Sequence, residues 1–361
     1  MILRTLYLKD FRNYKEAVVT FSPGINYIYG QNGEGKTNLL EAIQVLITGR
    51  SFRSHHLTDL IRFNRPGFFL EAHFEKHGIE QVLKLSFDGQ KRMIIHNASS
   101  IASLSLLLGI LNGVILSPED RELIQGGPAA RRRFLDLQIV KTHPLYFHHL
   151  SRYHRAMKQR NYLIRQKKIR TVEVWEEQMA ESAAYLTLQR FEATQQLASH
   201  SHPLQRTLSG DVESLKLVYK SSALTSCKDQ KSPLKSYFLE QYNKQRPREC
   251  EIGTTLTGPH RDDLEILIHD NEARFFASEG QKRCCVTALK LAEWCRLKTL
   301  TEEAPIICID DVELHLDQER EKSLYRELGK LGQIFLTSPH RMASSQKGIH
   351  FIHVSNGRLF S

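Results

Sequence analysis

The fold of this 361-residue chain is decided by the stretch Gly30-Gln31-Asn32-Gly33-Glu34-Gly35-Lys36-Thr37. It fits the pattern G-x-x-x-x-G-K-[S/T] and lies between a predicted apolar strand at 25–29 and a predicted helix that begins at Thr37. Glycines there let backbone N–H groups turn toward a phosphate, and the helix N-terminus adds its positive dipole end. We expect Lys36 to reach the β- and γ-phosphates and the Thr37 hydroxyl to bind Mg²⁺. The stretch predicts a nucleoside triphosphate site made by Gly30, Gln31, Asn32, Gly33, Glu34, Gly35, Lys36 and Thr37.

A second predicted strand supplies the carboxylates that such a site needs. Residues 306–309 are four consecutive apolar residues, and Asp310 and Asp311 follow them. The carboxyl end of a buried parallel strand is where α/β sheets bind ligands. We expect Asp310 to hold Mg²⁺, directly or through water, and Asp311 to orient or deprotonate the attacking water. Asp311 and Lys36 are therefore the two expected catalytic residues.

The third motif, Ser278-Glu279-Gly280-Gln281, opens a helix predicted over 287–300. Ser278 suits the N-cap position, and a hydroxyl with N–H groups at a helix N-terminus can also bind an anion. The arrangement resembles the ABC class of ATPases, in which S-x-G-Q of one subunit closes over the γ-phosphate held by the other. That resemblance implies that Ser278, Gly280 and Gln281 contact nucleotide across a homodimer.

Composition limits the classes of protein to consider. Lys and Arg number 50 against 40 Asp and Glu, a net charge of +10, which favours polyanionic partners. Apolar residues make up 41% of the chain, which excludes a disordered or collagen-like chain. The six cysteines form no C-x-x-C pair, so we expect reduced thiols rather than disulfides or a zinc ribbon.

Localisation is expected to be cytoplasmic, without a membrane anchor. Charged residues within the first ten positions argue against a secretory signal. The uncharged segment 97–118 is long enough to raise the question of a membrane span. Its serines, glycines and asparagines indicate instead a short helix, a turn at Asn112-Gly113 and a strand.

The order of predicted elements indicates an α/β fold that is interrupted by helices. Strands are expected at 2–8, 25–29, within 68–95, at 264–268, 306–309 and 334–336; helices are expected at 128–200, 287–300 and 318–331. Residues 201–250 are polar and give no clear pattern. We predict an ABC-type P-loop ATPase head at 1–117 and 256–361, with a mainly α-helical lobe inserted at 118–255. The lobe has no sustained heptad repeat, so no long coiled coil is expected.

Positive charge is concentrated at 131–170, where twelve Lys and Arg accompany a single acid. A helical stripe of this sign would follow a DNA backbone with salt-dependent affinity. The alternative is a solvated helix face, partly neutralised by glutamates at 173–181. Charge alone leaves both interpretations open, and the interleaved tyrosines at helical spacing are expected in the core. The candidate DNA contacts are Arg152, Arg155, Lys158 and Arg165.

The segment Gly258-Pro259-His260-Arg261-Asp262-Asp263 is dense in functional side chains. Three potential ligands within four residues of a turn do not easily converge on one metal ion. We therefore expect a structural turn that leads into the strand at 264–268, with Arg261 paired to an acid.

Several segments resemble the RecF family of bacterial recombination mediators, and they occur in family order over essentially the whole chain. The insertion between Lys36 and Ser278 is longer than that of ABC transporter ATPases and shorter than the arms of SMC-type proteins. The phosphate loop with the Asn38–Ile43 segment is joined by Leu8-Lys9-Asp10-Phe11-Arg12-Asn13-Tyr14, Gly49-Arg50-Ser51-Phe52-Arg53, Leu116-Ser117-Pro118-Glu119-Asp120, Arg131-Arg132-Arg133-Phe134-Leu135-Asp136, Gln159-Arg160-Asn161 and Thr257 with the 258–263 segment.

The resemblance implies an ATP- and Mg²⁺-dependent homodimer that clamps DNA at single-strand gaps or junctions. It implies action with RecO and RecR, indirect help to RecA loading, and roles in recombinational repair, replication restart and SOS induction. ATP would act mainly as a switch, through slow DNA-dependent hydrolysis. One departure is Leu314-His315-Leu316-Asp317, where the family has Ser-Glu-Leu-Asp. The alternatives are therefore a DNA-binding scaffold with negligible turnover, or another ABC-class ATPase of DNA maintenance; a transporter-coupled ATPase is not favoured.

Overall fold

The computed structural model describes residues 1–227, 231–311, 318–341 and 348–360. The chain packs as two compact units. Unit 1 comprises Met1–Arg121, Pro203–Glu213 and Ser278–Ser361, and unit 2 comprises Glu122–His202 and Ser214–Ala277. The domain boundaries predicted at 118 and 255 remain a prediction, because compact packing units are not the same thing as domains of the sequence.

Fifteen strands and eleven α-helices follow one another in the described part of the chain. The strands are β1 (Ile2–Phe11), β2 (Tyr14–Thr20), β3 (Ile25–Tyr29), β4 (Phe68–Lys76), β5 (Ile79–Phe87), β6 (Arg92–His96), β7 (Ser99–Ser100), β8 (Gly113–Leu116), β9 (Leu215–Lys220), β10 (Asp263–Ile268), β11 (Asn271–Glu272), β12 (Ile306–Ile309), β13 (Ile334–Ser338), β14 (Ile349–Ser355) and β15 (Arg358–Phe360). The helices are α1 (Lys36–Thr48), α2 (Leu104–Leu107), α3 (Glu122–Gln125), α4 (Pro128–Val140), α5 (Pro144–Arg165), α6 (Val172–Leu208), α7 (Ser222–Cys227), α8 (Lys231–Ile252), α9 (Ala273–Phe276), α10 (Glu279–Thr301) and α11 (Gln318–Leu328).

Unit 1 contains two six-stranded sheets. The first is antiparallel, in the order β2-β1-β4-β5-β6-β7. The second has the order β15-β14-β3-β13-β12-β8, and all its strand pairs are parallel except β14 with β15. Its central strands are buried on both faces, which explains why β12 is an unbroken apolar run.

Helix α1 packs between the two sheets. It contacts β13 and β8 of the parallel sheet and β4 and β5 of the antiparallel one. Leu39, Leu40, Ile43 and Leu46 recur at helical spacing and belong to the resulting core, which gives this helix an apolar side. The helix ends at Gly49, whose φ of +69° suits glycine. Packing of α1 into this core therefore fixes the position of its first turn. The phosphate loop, which leads into that turn, is positioned with it.

Unit 2 is mainly helical, with the small antiparallel sheet β11-β10-β9. The longest helix, α6, has 37 residues and extends into unit 1 at its C-terminal end. On α5 the buried residues recur every three to four positions, as expected for one core-facing side. They are Tyr146, Tyr153, Ala156, Arg160 and Ile164.

The 258–263 segment is a structural turn, as predicted, and it ties unit 2 together. His260 Nδ1 hydrogen-bonds the Tyr153 hydroxyl at 2.6 Å, and Tyr219 donates to Asp262 at 2.6 Å. Arg261 donates to the Thr255 carbonyl, where an acid was expected. Among the described residues, no group of three or more His, Cys, Asp or Glu side chains is arranged around a common point as metal ligands would be. The segment's functional groups are therefore used for folding.

Other expectations were incomplete. The strand β2 was missed, and the polar 201–250 region contains β9 and α8. Within 97–118 the predicted helix and strand are present as α2 and β8, but the chain turns at residues 108–110 rather than at Asn112-Gly113. None of the helices in the described ranges is both long and apolar enough to cross a membrane.

Candidate nucleotide-binding site

The phosphate loop connects β3 to α1, as the sequence predicts. Gly30, Gly33 and Gly35 have φ values of +154°, +88° and +121°, which side-chain-bearing residues rarely adopt. A Cβ atom on Gly30 would lie 2.2 Å from the carbonyl oxygen of Val354. A Cβ on Gly35 would lie 2.7 Å from the Asn13 side chain. The loop thus needs its first and last glycines because β14 and the turn between β1 and β2 pack closely against it.

Two residues that were not predicted as site residues hold the loop from outside. The Tyr14 hydroxyl donates to the Gly35 carbonyl at 2.9 Å, and Asn13 Nδ2 donates to the Glu34 carbonyl at 2.7 Å. Burial raises the pKa of Tyr14, so this hydroxyl remains a donor. Both residues belong to the 8–14 segment, whose resemblance to the RecF family was the signal available in the sequence. The loop is therefore held in shape by the protein itself.

Lys36 lies over the inner face of the loop. Its side chain is 5% exposed, and Nζ donates to the carbonyl oxygens of Gly30 at 2.5 Å and Gln31 at 3.0 Å. An ammonium group that is buried against backbone carbonyls is well placed to meet phosphate oxygens entering the same loop.

Thr37, in the first turn of α1, meets Asp310, which directly follows the carboxyl end of β12. Thr37 Oγ1 donates to Asp310 Oδ1 at 3.0 Å, although 273 positions separate the two residues. Thr337 Oγ1 donates to the same carboxylate oxygen at 2.7 Å. Thr337 lies on β13, which runs between β3 and β12, and the sheet order therefore brings all three side chains together. Thr337 was not among the site residues predicted from the sequence.

The Asp310 carboxyl is costly to ionise where it lies. Burial raises its pKa to about 6, Asp311 and Glu119 add to the rise, and the hydrogen bonds from Thr337 and Thr37 oppose it. A buried carboxylate beside a hydroxyl offers the hard oxygen ligands that Mg²⁺ prefers, and Mg²⁺ usually takes one or two carboxylates together with phosphate oxygens. The residues present therefore fit a Mg²⁺–nucleotide complex.

Asp311 has a different environment from its neighbour. Its backbone is left-handed, with φ of +51°, and its N–H donates to Thr337 Oγ1 at 2.8 Å. The side chain is half-buried. Thr337 thereby fixes both acids, through the carboxylate of one and the backbone of the other.

The Ser278–Gln281 motif forms a complete capping box at the start of α10. Gln281 N–H donates to Ser278 Oγ at 3.2 Å, and Ser278 N–H donates to Gln281 Oε1 at 2.8 Å. Ser278 and Gly280 are exposed. The predicted cap is confirmed, and the hydroxyl and the helix end remain open to an external group. The departure at Leu314-His315-Leu316-Asp317 lies outside the described residues.

The predicted basic stripe divides into internal and exposed charges. Arg160 is fully buried between Glu176 and Glu249, and Arg152 pairs with Glu181 at 2.9 Å. These contacts match the interpretation of a helix face neutralised by neighbouring glutamates. The exposed members of the 131–170 segment are Arg133, Arg155, Lys158, Arg165, Lys167, Lys168 and Arg170. Three of the four candidate DNA contacts therefore face solvent.

Comparison with known proteins finds relatives that match nearly the whole chain. The RecF/RecN/SMC N-terminal domain family matches residues 2–358. The DNA replication and repair protein RecF of Protochlamydia amoebophila is 47% identical over 339 residues, covering 94% of each chain. The protein of the same name from Chlamydia abortus is 42% identical over 357 residues, covering 98% of this chain and 96% of the relative.

Solved structures show the same similarity in three dimensions. The recombination mediator protein RecF with ATP, of the RecFOR pathway, superposes with a TM-score of 0.91 at 30% identity, covering 99% of this chain and 97% of the other. An Smc head bound to the C-terminal winged-helix domain of ScpA superposes with a TM-score of 0.59 at 18% identity, covering 99% of this chain and 96% of the other, and so shares the fold. The predicted ABC-type head with a helical lobe and without a long coiled coil is confirmed.

Proposed function

The chain belongs to the RecF family, and from that membership we propose that it is an ATP-dependent DNA-binding protein of recombinational repair and replication restart. The observation that carries the nucleotide part is the meeting of Thr37 with Asp310 beside the buried Lys36. A solved relative is a complex with ATP, and in this chain Asn13 and Tyr14 hold the phosphate loop by hydrogen bonds to its carbonyl groups.

The phosphate loop and the two acids after β12 would have different roles in binding ATP and Mg²⁺. Backbone N–H groups of 30–35 cradle the phosphates, and Lys36 contacts the β- and γ-phosphates. Thr37 and Asp310 would hold Mg²⁺, and the bound cation would neutralise negative charge on the phosphates. Asp311 orients or deprotonates the water for hydrolysis. Because Asp310 is buried, its charge is most favourable when the cation is present.

ATP would act through a homodimer. Ser278, Gly280 and Gln281 of one copy meet the nucleotide bound by the other, through the exposed start of α10. The closed dimer holds DNA at single-strand gaps or junctions in the cytoplasm. It acts with RecO and RecR, since the solved relative is a mediator of the RecFOR pathway. RecA loading and SOS induction follow indirectly, and slow hydrolysis reopens the dimer.

A DNA-binding scaffold with negligible ATP turnover is the second candidate. It is favoured by the replacement of Ser and Glu in the Leu314-His315-Leu316-Asp317 segment. A switch requires that ATP changes DNA affinity, whereas a scaffold binds DNA equally with and without ATP.

Light scattering tests the switch directly. The mass of the wild-type protein is measured without nucleotide and with ATP and Mg²⁺. We expect a shift from monomer to dimer, held longer by Asp311→Asn because hydrolysis is slowed. Lys36→Met should remain monomeric because the loop loses its phosphate cation. A Lys36→Met protein that dimerises like wild type would contradict the site.

Ser278→Arg separates binding from closure. It should bind ATP almost normally as a monomer and fail to dimerise, because a bulky side chain occupies the start of α10. If the wild-type mass is indifferent to ATP, the run is repeated with a gapped duplex. Dimerisation only with DNA would support a DNA-gated switch, and none at all would favour the scaffold.

A further inference from the structure

One face of α5 combines positive charge with an exposed aromatic ring. Arg155, Lys158, Tyr162 and Arg165 recur at spacings of three and four residues, which places them on one side of the helix. All four are exposed, and α5 contains no acidic residue. We name this set the α5 stripe. It presents about 15 Å of basic surface along the helix axis, given a rise of about 1.5 Å per residue.

Tyr162 differs from the other tyrosines of the chain. It is 55% exposed, and it is the one exposed tyrosine among the twelve, all of which lie in described ranges. Tyr146 and Tyr153 on the same helix are 0% and 1% exposed and belong to the core, as predicted. The sequence pattern did not separate Tyr162 from these two; the structure does, because Tyr162 lies on the opposite side of α5.

The chemistry of the stripe fits a nucleic-acid strand with unpaired bases. Lysine and arginine side chains pair with phosphates without regard to sequence. An aromatic face stacks on a base only when that base is not already stacked inside a duplex, so the ring adds affinity for single strands. A stripe of charge alone would serve single- and double-stranded DNA alike.

We propose that Tyr162 stacks on an unpaired base of single-stranded DNA whose phosphates are held by Arg155, Lys158 and Arg165. This rests on the proposed DNA-binding function and adds to it a means of distinguishing a single strand from a duplex. The side chain would act by contact with the base, and the hydroxyl is not required.

The experiment compares Tyr162→Ala with Tyr162→Phe. Binding is measured by fluorescence anisotropy with a labelled oligothymidylate and with a blunt duplex of equal length, at one fixed salt concentration. Tyr162→Ala should weaken single-strand binding at least about 5-fold and leave duplex binding within about 2-fold. Tyr162→Phe should bind both like wild type. Leu145→Ala, which truncates a side chain on the same helix that is also 55% exposed, is the matched control and should change neither.

A second readout does not depend on affinity differences. Tyr162→Trp places an indole in the stripe, and stacking on a base should quench its added fluorescence with the oligothymidylate and not with the duplex. Equal weakening of both substrates by Tyr162→Ala, or no weakening, would overturn the stacking role. If instead reversal of the charges at Arg155, Lys158 and Arg165 leaves DNA binding intact, the proposed DNA surface itself is wrong, and the role of Tyr162 is wrong with it.

Discussion

Thr337 is the residue on which both acids of the candidate site depend. Its hydroxyl donates to Asp310 and accepts the backbone N–H of Asp311, and it is fully buried. A serine could make both bonds, whereas a valine of similar size could make neither. Without the Thr337 hydroxyl, the Asp311 N–H loses its acceptor, at a cost on the order of 1–3 kcal/mol, and Asp310 loses one hydroxyl donor while it keeps that of Thr37.

Thr337→Val should therefore lower the melting temperature and slow ATP hydrolysis more than it weakens ATP binding. Binding and turnover are measured separately, by titration with labelled ATP and by phosphate release under saturating ATP. Thr337→Ser should restore turnover. Equal losses of binding and turnover in the valine variant, without rescue by serine, would reduce Thr337 to a general packing role.

His260 makes the stability of unit 2 sensitive to acid. Burial lowers its pKa from 6.5 to about 4, and the nearby Arg261, Arg132 and His154 contribute to the fall. As pH falls, the His260 imidazole is therefore protonated near pH 6.5 in the unfolded chain but only near pH 4 in the folded chain. Stability is lost as pH falls through this window, by up to about 1.4 kcal/mol per pH unit.

Asp262 acts in the opposite direction. Burial raises its pKa from 3.8 to about 6, so the folded chain holds a proton that the unfolded chain has released. Its contribution is present at low pH and is lost as pH rises through 6. The two groups offset one another between about pH 4 and pH 6, which leaves a shallow profile for the wild-type protein.

Replacing each group alone should reveal the two opposing slopes. Relative to wild type, His260→Gln should make the melting temperature rise as pH falls from 6.5 to 4.5, because only the Asp262 contribution remains, and Asp262→Asn should make it fall, because only the His260 contribution remains. Calorimetry across that range measures both. Parallel profiles for the two variants and wild type would show that neither group titrates as its burial indicates.

At the scale of one element, α5 carries two kinds of basic residue: one that is buried in ion pairs and others that are exposed to solvent. Arg160 is buried between two glutamates, so its reversal would leave uncompensated charges in the core. Arg155, Lys158 and Arg165 are exposed and can be reversed without that cost.

Reversing those three charges to glutamate should weaken DNA binding and reduce its salt dependence. Each lost phosphate contact lowers the slope of log affinity against log salt by about 0.7 to 0.9. The slope is measured by anisotropy at several salt concentrations. The matched control reverses Lys216, Lys220 and Lys244, exposed residues elsewhere in unit 2, with the same change in net charge. Identical salt slopes for the two triple variants would show that the basic face of α5 is a solvated surface that does not contact DNA.

The sequence predicted the elements whose residues carry a clear local pattern of apolar and polar positions. The strand β12 was predicted with its observed bounds because four apolar residues precede two acids. The strand β2 was missed because it is an edge strand that depends on pairing with β1. The strand β9 was missed because it pairs with β10, more than forty residues later. Asn13, Tyr14 and Thr337 were not predicted as site residues, because their roles arise only when distant strands pack against the loop.

At the scale of the whole molecule, the cysteines can report on each unit separately. Cys284, Cys285 and Cys308 are buried in unit 1, and Cys250 is half-buried in unit 2. Burial raises the pKa of Cys285 and Cys308, which makes these thiols unreactive while unit 1 is folded.

Alkylation followed by mass spectrometry should modify the half-buried Cys250 of unit 2 and Cys295 of unit 1 before the three buried thiols of unit 1, Cys284, Cys285 and Cys308. ATP with Mg²⁺ should slow modification of the unit 1 thiols, because a ligand that binds the folded state lowers the population of the open state. Cys250 should be unaffected. Equal protection of Cys250 would indicate that the two units open together, and no protection anywhere would contradict nucleotide binding in unit 1.

The order of strands in the parallel sheet has a consequence for biosynthesis. The strand that carries the phosphate loop, β3, pairs on both sides with strands made about 300 residues later, β13 and β14. At synthesis rates of about 5–20 residues per second, that delay is about 15–60 seconds. During this time the nascent chain displays an apolar strand without neighbours, and no nucleotide can be held. A chain that is released before residue 334 is made therefore cannot form this site. We expect chaperones to bind the N-terminal segment until β13 and β14 have been synthesised.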